Sequence, residues 1–117
     1  MDTLKKTWEF DRVFKAGRSL SCKELVLYGL KTRRPLNRVG FCVSKKLGKA
    51  VERNRLRRRL REILRLHQQE ANTGWDLIVL ARGGACETGY VRLELAFTEL
   101  GRRLGLYPAT QSTQLPC

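Results

Sequence analysis

Residues 49–62 read Lys-Ala-Val-Glu-Arg-Asn-Arg-Leu-Arg-Arg-Arg-Leu-Arg-Glu, and the apolar positions Leu56 and Leu60 continue at helical spacing into Ile63 and Leu64. At about 100° per residue these four share one helix face with His67, while Asn54, Arg57, Arg58, Arg61 and Arg65 share an adjacent one. Arg55 and Arg59 fall on the other flank, and Arg53 sits at the margin of the apolar stripe, where its aliphatic stem can snorkel. A solvated charge run needs no apolar stripe. The helix predicted over about 50–69 is therefore docked on a core and turns its guanidinium groups outward.

The flanking segments decide the class. Upstream, residues 38–44 alternate Val39, Phe41 and Val43 with Arg38, Gly40, Cys42 and Ser44, a strand covered on one face and open on the other to a ligand or to small packing groups. Downstream, Asn72-Thr73-Gly74 ends the helix, and residues 76–81 form the continuous apolar run of a central strand buried on both faces. Strand, helix, strand implies a parallel crossover, entered through the basic connector 45–49.

Further out, residues 25–30 predict a strand with Leu25 and Leu27 on one face and Val26, Tyr28 and Leu30 on the other. Residues 19–22 suggest a short strand before it. A first helix over 7–16 has Phe10, Val13 and Phe14 at helical spacing, Thr7 as its cap and Gly17 at its end. A closing helix over 91–104 places Leu93, Ala96, Phe97, Leu100 and Leu104 on one face. The expectation is a single α+β domain over residues 1–105. Residues 106–117 lack periodicity and are expected to form a mobile tail.

The 117 residues carry 24 Lys and Arg against 11 Asp and Glu, a formal charge of +13. Between Lys45 and Arg65 ten basic residues face only Glu52 and Glu62, so a net +8 is concentrated in 21 residues. Solvated helix faces usually alternate sign in i, i+4 pairs, and cations in the first turns oppose the helix dipole. This helix is basic almost throughout and places many cations in its first turns, which calls for an anionic counter-ligand, and arginine suits bidentate phosphate contact. The candidate polyanion-binding residues are Lys45, Lys46, Lys49, Arg53, Asn54, Arg55, Arg57, Arg58, Arg61 and Arg65.

Other classes are disfavoured. Cys22, Cys42, Cys86 and Cys117 are widely spaced, with no Cys-x-x-Cys pair and His67 as the sole imidazole, so neither a zinc ribbon nor a disulfide framework is indicated and the thiols are expected to be reduced. No apolar stretch approaches the roughly 20 residues of a membrane span, and the N-terminal residues do not read as a signal peptide, so a cytoplasmic protein without membrane contact is expected. The acidic residues are dispersed, whereas metal-dependent phosphodiester cleavage needs clustered carboxylates. No catalytic residue and no metal ligand is assigned, and His67 is read as a packed, hydrogen-bonded histidine.

Phe10, Phe14 and Tyr28, with Lys15 and Arg18 near them in sequence, suggest a second constellation. Aromatic faces edged by cations hold single-stranded nucleic acid without strict sequence readout. From the residues alone, aromatic side chains at i and i+4 read first as core packing.

The run Lys45-Lys46-x-Gly48-Lys49-Ala50-Val51-x-Arg53-Asn54-Arg55-x-Arg57-Arg58-x-x-Arg61-Glu62 resembles the signature of the bacterial ribonuclease P protein subunit. The likeness extends through Phe10-x-x-Val13-Phe14-Lys15-x-Gly17-x-Ser19, Leu27-Tyr28, Val39-Gly40-x-x-Val43-Ser44 and Asp76-x-Ile78-Val79-x-Ala81-Arg82, nearly the whole chain apart from the tail. It implies an αβββαβα sandwich, ribosomal-protein-S5-domain-2-like, in which a left-handed βαβ crossover carries the basic helix against the general right-handed rule.

The resemblance also implies a role. The protein would be the non-catalytic subunit of a ribonucleoprotein that removes the 5′ leader of precursor tRNA, with magnesium required by the holoenzyme and held mainly by the RNA. Arg53, Asn54, Arg55, Arg57, Arg58 and Arg61 would contact the catalytic RNA or lie near its active site. Phe10, Phe14 and Tyr28 would line the leader cleft, with Lys15 and Arg18 at its edge. The partners implied are the catalytic RNA and precursor tRNA, with no obligate protein partner. The chain departs from the pattern at Leu25, where the family often has phenylalanine, at Arg57, where it has lysine, and in a short basic stretch before the first helix. A structural RNA-binding protein such as a ribosomal component would share the basic helix and the size, but needs no aromatic cleft.

Overall fold

The computed structural model describes residues 2–108. In chain order these form β1 (Asp2–Thr3), α1 (Thr7–Ala16), β2 (Arg18–Ser21), β3 (Leu25–Lys31), β4 (Arg38–Cys42), α2 (Ala50–His67), β5 (Trp75–Ala81) and α3 (Tyr90–Leu104). From α1 onward the order is the expected αβββαβα. The two-residue β1 was not anticipated, being too short to carry a pattern; it adds to the edge of β4 in parallel. Short 3-10 turns cover Lys45–Leu47, Gln68–Glu70 and Ala85–Glu87, so the α-helical part of the basic helix stops at His67.

The sheet runs β1-β4-β5-β3-β2, with β4 and β5 parallel and the β5-β3 and β3-β2 pairs antiparallel. The apolar run of residues 76–81 thus lies in the central strand. Alternation along the strands sends Leu25, Leu27, Val39, Leu77 and Val79 to one face, where they meet Leu56, Leu60, Ile63 and Leu64 of α2 and Leu93, Phe97 and Leu100 of α3. Those four α2 side chains are buried, and each contributes about 1.5–3 kcal/mol of burial free energy. The opposite face carries α1, with Val13, Ile78 and Leu4 at the centre of a smaller cluster.

Three local expectations are corrected. Thr7 does not cap α1: the Glu9 carboxylate accepts the Lys5 and Lys6 N–H groups at 2.9 Å each, and Lys6 is the N-cap residue. The face of β4 expected to be open to a ligand or to small packing groups is so only at Cys42, which is partly exposed, because α1 covers Arg38 and Gly40 and both are buried. The domain does not end at residue 105. Gly105, at φ +102, turns the chain in the left-handed region, its N–H and that of Leu106 donate to Gly101 O, and Leu106 and Tyr107 then enter the main core. A side chain at Gly101 would stand 2.5 Å from the Tyr107 ring, so the close approach needs glycine there. The remainder of the expected tail, 109–117, lies outside the described residues.

Candidate nucleic-acid interface

The cationic surface is built on α2 and the turn before it. Ser44 Oγ accepts the Lys46 N–H at 3.2 Å and holds this turn, leaving Lys45 and Lys46 exposed. Glu52 Oε1 accepts the Lys49 N–H at 2.8 Å and caps the first turn of α2. The arginines then divide by partner. Arg53 Nε donates to Gly48 O (3.2 Å) and Arg59 to Thr88 O (3.3 Å), so both brace the helix against adjoining loops. Arg57 donates to Asn54 Oδ1 at 3.1 Å, and Arg65 pairs with Glu62 at 2.8 Å. Arg61 lies over the Phe41 ring, 5.9 Å from its centroid. Arg55 and Arg58 are exposed and, among the described residues, make no hydrogen bond or ion pair.

The aromatic constellation assembles on the other face of the sheet. Phe14 meets Tyr28 edge to face, with ring centroids 4.8 Å apart. Phe14 is 38% exposed, so it is not a core residue. Phe10 is half-buried against Gly40, where an added Cβ would lie 2.4 Å from its ring. The glycine in mid-strand is the sequence signal for this close approach. Lys15 and Arg18 are exposed at the end of α1 and the start of β2, and Ser19 is the register partner of Tyr28.

The same sheet face continues past the aromatic pair. Cys42, Leu80 and Val26 are register neighbours across β4, β5 and β3, on the face that carries Tyr28, and all three are partly exposed where α1 no longer covers the sheet. Burial pushes the Cys42 thiol up, while the charge of Arg57 works against that shift.

Beneath α1 lies a charged cluster with no counterpart in the sequence reading. Arg38 donates to both Asp76 oxygens (2.9 and 2.7 Å) and to Glu9, and Arg12 adds a bond to Asp76 at 2.8 Å. The Lys6 and Lys5 amides, with Arg38, hold the Glu9 carboxyl down to about 2. Burial alone would raise the pKa of Asp76, but Arg38 and Arg12 outweigh it and lower it. The cluster fixes α1, and with it Phe10 and Phe14, to β4 and β5.

His67 is packed and hydrogen-bonded, as expected: Nε2 lies 2.9 Å from Glu94 and Nδ1 3.3 Å from Glu70. Cys22, Cys42 and Cys86 are free thiols. Among the described residues no group of three or more His, Cys, Asp or Glu side chains is placed to hold a metal ion, and no helix is long and apolar enough to cross a membrane.

Fold and surface together define a small α+β protein with a cationic helix on one face of the sheet and the Phe14–Tyr28 pair on the other. The family model described as Ribonuclease P matches residues 1–105. The chain is 45% identical over 101 residues to the ribonuclease P protein component of Natranaerobius thermophilus, covering 86% of this chain and 88% of that protein. It is 39% identical over 108 residues to the component from a Thermoanaerobacter species, covering 92% and 93%. Among solved structures it resembles the Staphylococcus aureus RNase P protein, with TM-score 0.85 and 29% identity over 92% of this chain and 98% of that one. The Thermotoga maritima RNase P protein superposes with TM-score 0.80 and 29% identity over 88% and 97%. The chain belongs to the ribonuclease P protein family.

Proposed function

We propose that this protein is the RNA-binding, non-catalytic subunit of ribonuclease P, assisting a catalytic RNA in removing the 5′ leader of precursor tRNA. The observation that carries the reading is the exposed guanidinium face of α2, where Arg55 and Arg58 make no hydrogen bond or ion pair among the described residues, in a chain of the ribonuclease P protein family. A catalytic RNA docks on Lys45, Lys46, Lys49, Asn54, Arg55, Arg57, Arg58, Arg61 and Arg65, and a groove at the Phe14–Tyr28 pair receives the unpaired leader. Arg53 and Arg59 hold α2 in position for that contact.

In the groove, Phe14 and Tyr28 offer ring surface to leader bases, and Lys15 and Arg18 attract its phosphates. Phe10 is chiefly the packing group that sets the cleft wall against Gly40. Protons and metal-bound water are handled elsewhere: magnesium is held by the RNA, and the protein contributes electrostatic attraction and position. The cytoplasm, where tRNA precursors are processed, is its proposed compartment.

Reconstitution tests this. The purified protein, the host's candidate catalytic RNA and precursor tRNA are mixed at low magnesium, and release of the intact leader is measured. Cleavage should require both macromolecules and be absent with protein alone. Cleavage by the protein alone would contradict the reading, as would RNA activity that the protein does not change.

A further inference from the structure

On the sheet face opposite the aromatic cleft, a groove of about 240 Å3 opens between α2 and the β1–β4 edge. Its walls are Phe41 and Leu64, with Thr3 at one side and Gln68, Arg61 and Arg65 at its rim. Phe41 points here because alternation along β4 sends its neighbours Gly40 and Cys42 to the other face. The site is thus separate from the Phe14–Tyr28 cleft.

Two features specify an occupant. First, Arg61 is exposed, lies over the Phe41 ring 5.9 Å from its centroid and, among the described residues, has no hydrogen bond or ion pair, although it stands at the rim of an apolar slot. An aromatic ring and a guanidinium plane are the surfaces on which nucleobases stack, and a guanidinium with free N–H groups is a phosphate donor. Second, the volume is below the roughly 300 to 1,000 Å3 of sites for drug-sized ligands, which suits one base and not a longer segment. Gln68 can donate and accept at a base edge.

We propose that this groove takes one unstacked nucleotide of the bound RNA, its base against Phe41 and Leu64 and its phosphate on Arg61, with Arg65 shared between that phosphate and Glu62. The inference rests on the reading of α2 as an RNA-docking helix and adds base capture to phosphate contact.

The test follows backbone amide resonances of the full-length 15N-labelled protein during titration with adenosine 5′-monophosphate and, separately, ribose 5-phosphate. The nucleotide should shift Thr3, Phe41 and Gln68 saturably, with ribose 5-phosphate binding weaker by roughly 5-fold or more, the low end of the stacking contribution of one base. Thr3→Trp and Gln68→Trp fill the groove without changing charge. Each should abolish the nucleotide shifts and weaken binding to the catalytic RNA roughly 5- to 150-fold with the salt dependence unchanged. A melting temperature measured for both variants identifies the one that keeps the native fold. Equal shifts with both probes would mean phosphate contact only and would overturn the proposal, as would no shifts at these residues. Salt-dependent RNA binding with a groove silent to the nucleotide defeats the slot alone, whereas nucleotide binding without RNA affinity defeats the reading of α2.

Discussion

Arg38 on β4 and Asp76 on β5 are register partners across the parallel pair, and two hydrogen bonds of 2.9 and 2.7 Å join the guanidinium to the carboxylate beneath α1. Asp76 has no exposed side-chain surface, and Arg38 also reaches Glu9 at the start of α1. One buried cation thus ties two central strands to the helix that carries the cleft aromatics.

Arg38→Met leaves Asp76 and Glu9 buried with Arg12 as the nearest cation. Removing one partner of a buried pair typically costs about 3–5 kcal/mol. Urea denaturation should show a loss of that order, and a change under about 1 kcal/mol would mean that solvent already screens the cluster.

Acid should unfold the protein through the same cluster. Glu9 falls from an ordinary 4.5 to about 2 in the folded state, and Asp76 is also lowered, so their stabilisation is present above their unfolded values and fades as pH drops toward about 2. His67 has the opposite sign. Burial opposes its charge, yet hydrogen bonds to Glu94 and Glu70 raise its pKa above 6.5, so its contribution is full below 6.5 and fades as pH rises through the folded value. The midpoint of urea unfolding against pH should lose much of its acid slope in Glu9→Gln and its slope above pH 6.5 in His67→Gln. Reconstituted cleavage should survive His67→Gln, and a large loss of turnover in a stable variant would contradict the structural role of this histidine.

Binding to the catalytic RNA should be steeply salt-dependent. Arg55 and Arg58 are exposed and unpaired among the described residues, which frees both for phosphate. Each neutralised phosphate contributes roughly 0.7 to 0.9 to the log-log slope, so Arg55→Ala with Arg58→Ala should flatten it by about one to two units. An unchanged slope with normal folding would place the RNA on another surface.

What was legible in the sequence depended on distance along the chain. The spacing of Leu56, Leu60, Ile63 and Leu64 is local, and all four are buried as expected. The alternation of Leu25, Leu27 and Tyr28 likewise assigned both faces of β3. The Arg38 cluster was hidden because its bonds span 29, 38 and 64 residues, and an arginine beginning an alternating strand reads as solvent-facing. The same limit divided the cleft. Phe10 and Phe14 were visible as a helical pair, but only the placement of Gly40 under Phe10 and Tyr28 beside Phe14 separates the packing ring from the exposed one. Leu106 and Tyr107 were missed because a turn at Gly105 brings them into the core without any periodic pattern.

The separation between Phe10 and Phe14 is itself testable. Phe10→Ala should cost about 3–5 kcal/mol in stability, as a truncated packing aromatic does. Phe14→Ala, at a site 38% exposed, should cost much less. Thermal melts of the two variants check this, and equal losses would place Phe14 in the core.

The affinity of the reconstituted holoenzyme for precursor tRNA relative to mature tRNA tests the central claim most directly, because only the precursor carries an unpaired leader. Stacking on one ring is worth about 1 to 3 kcal/mol per base, so a folded Phe14→Ala or Tyr28→Ala variant should weaken precursor binding roughly 5- to 150-fold and leave mature-tRNA binding nearly unchanged. Equal weakening for both RNAs, or none for either, in a well-folded variant would contradict the assignment of the cleft to the leader.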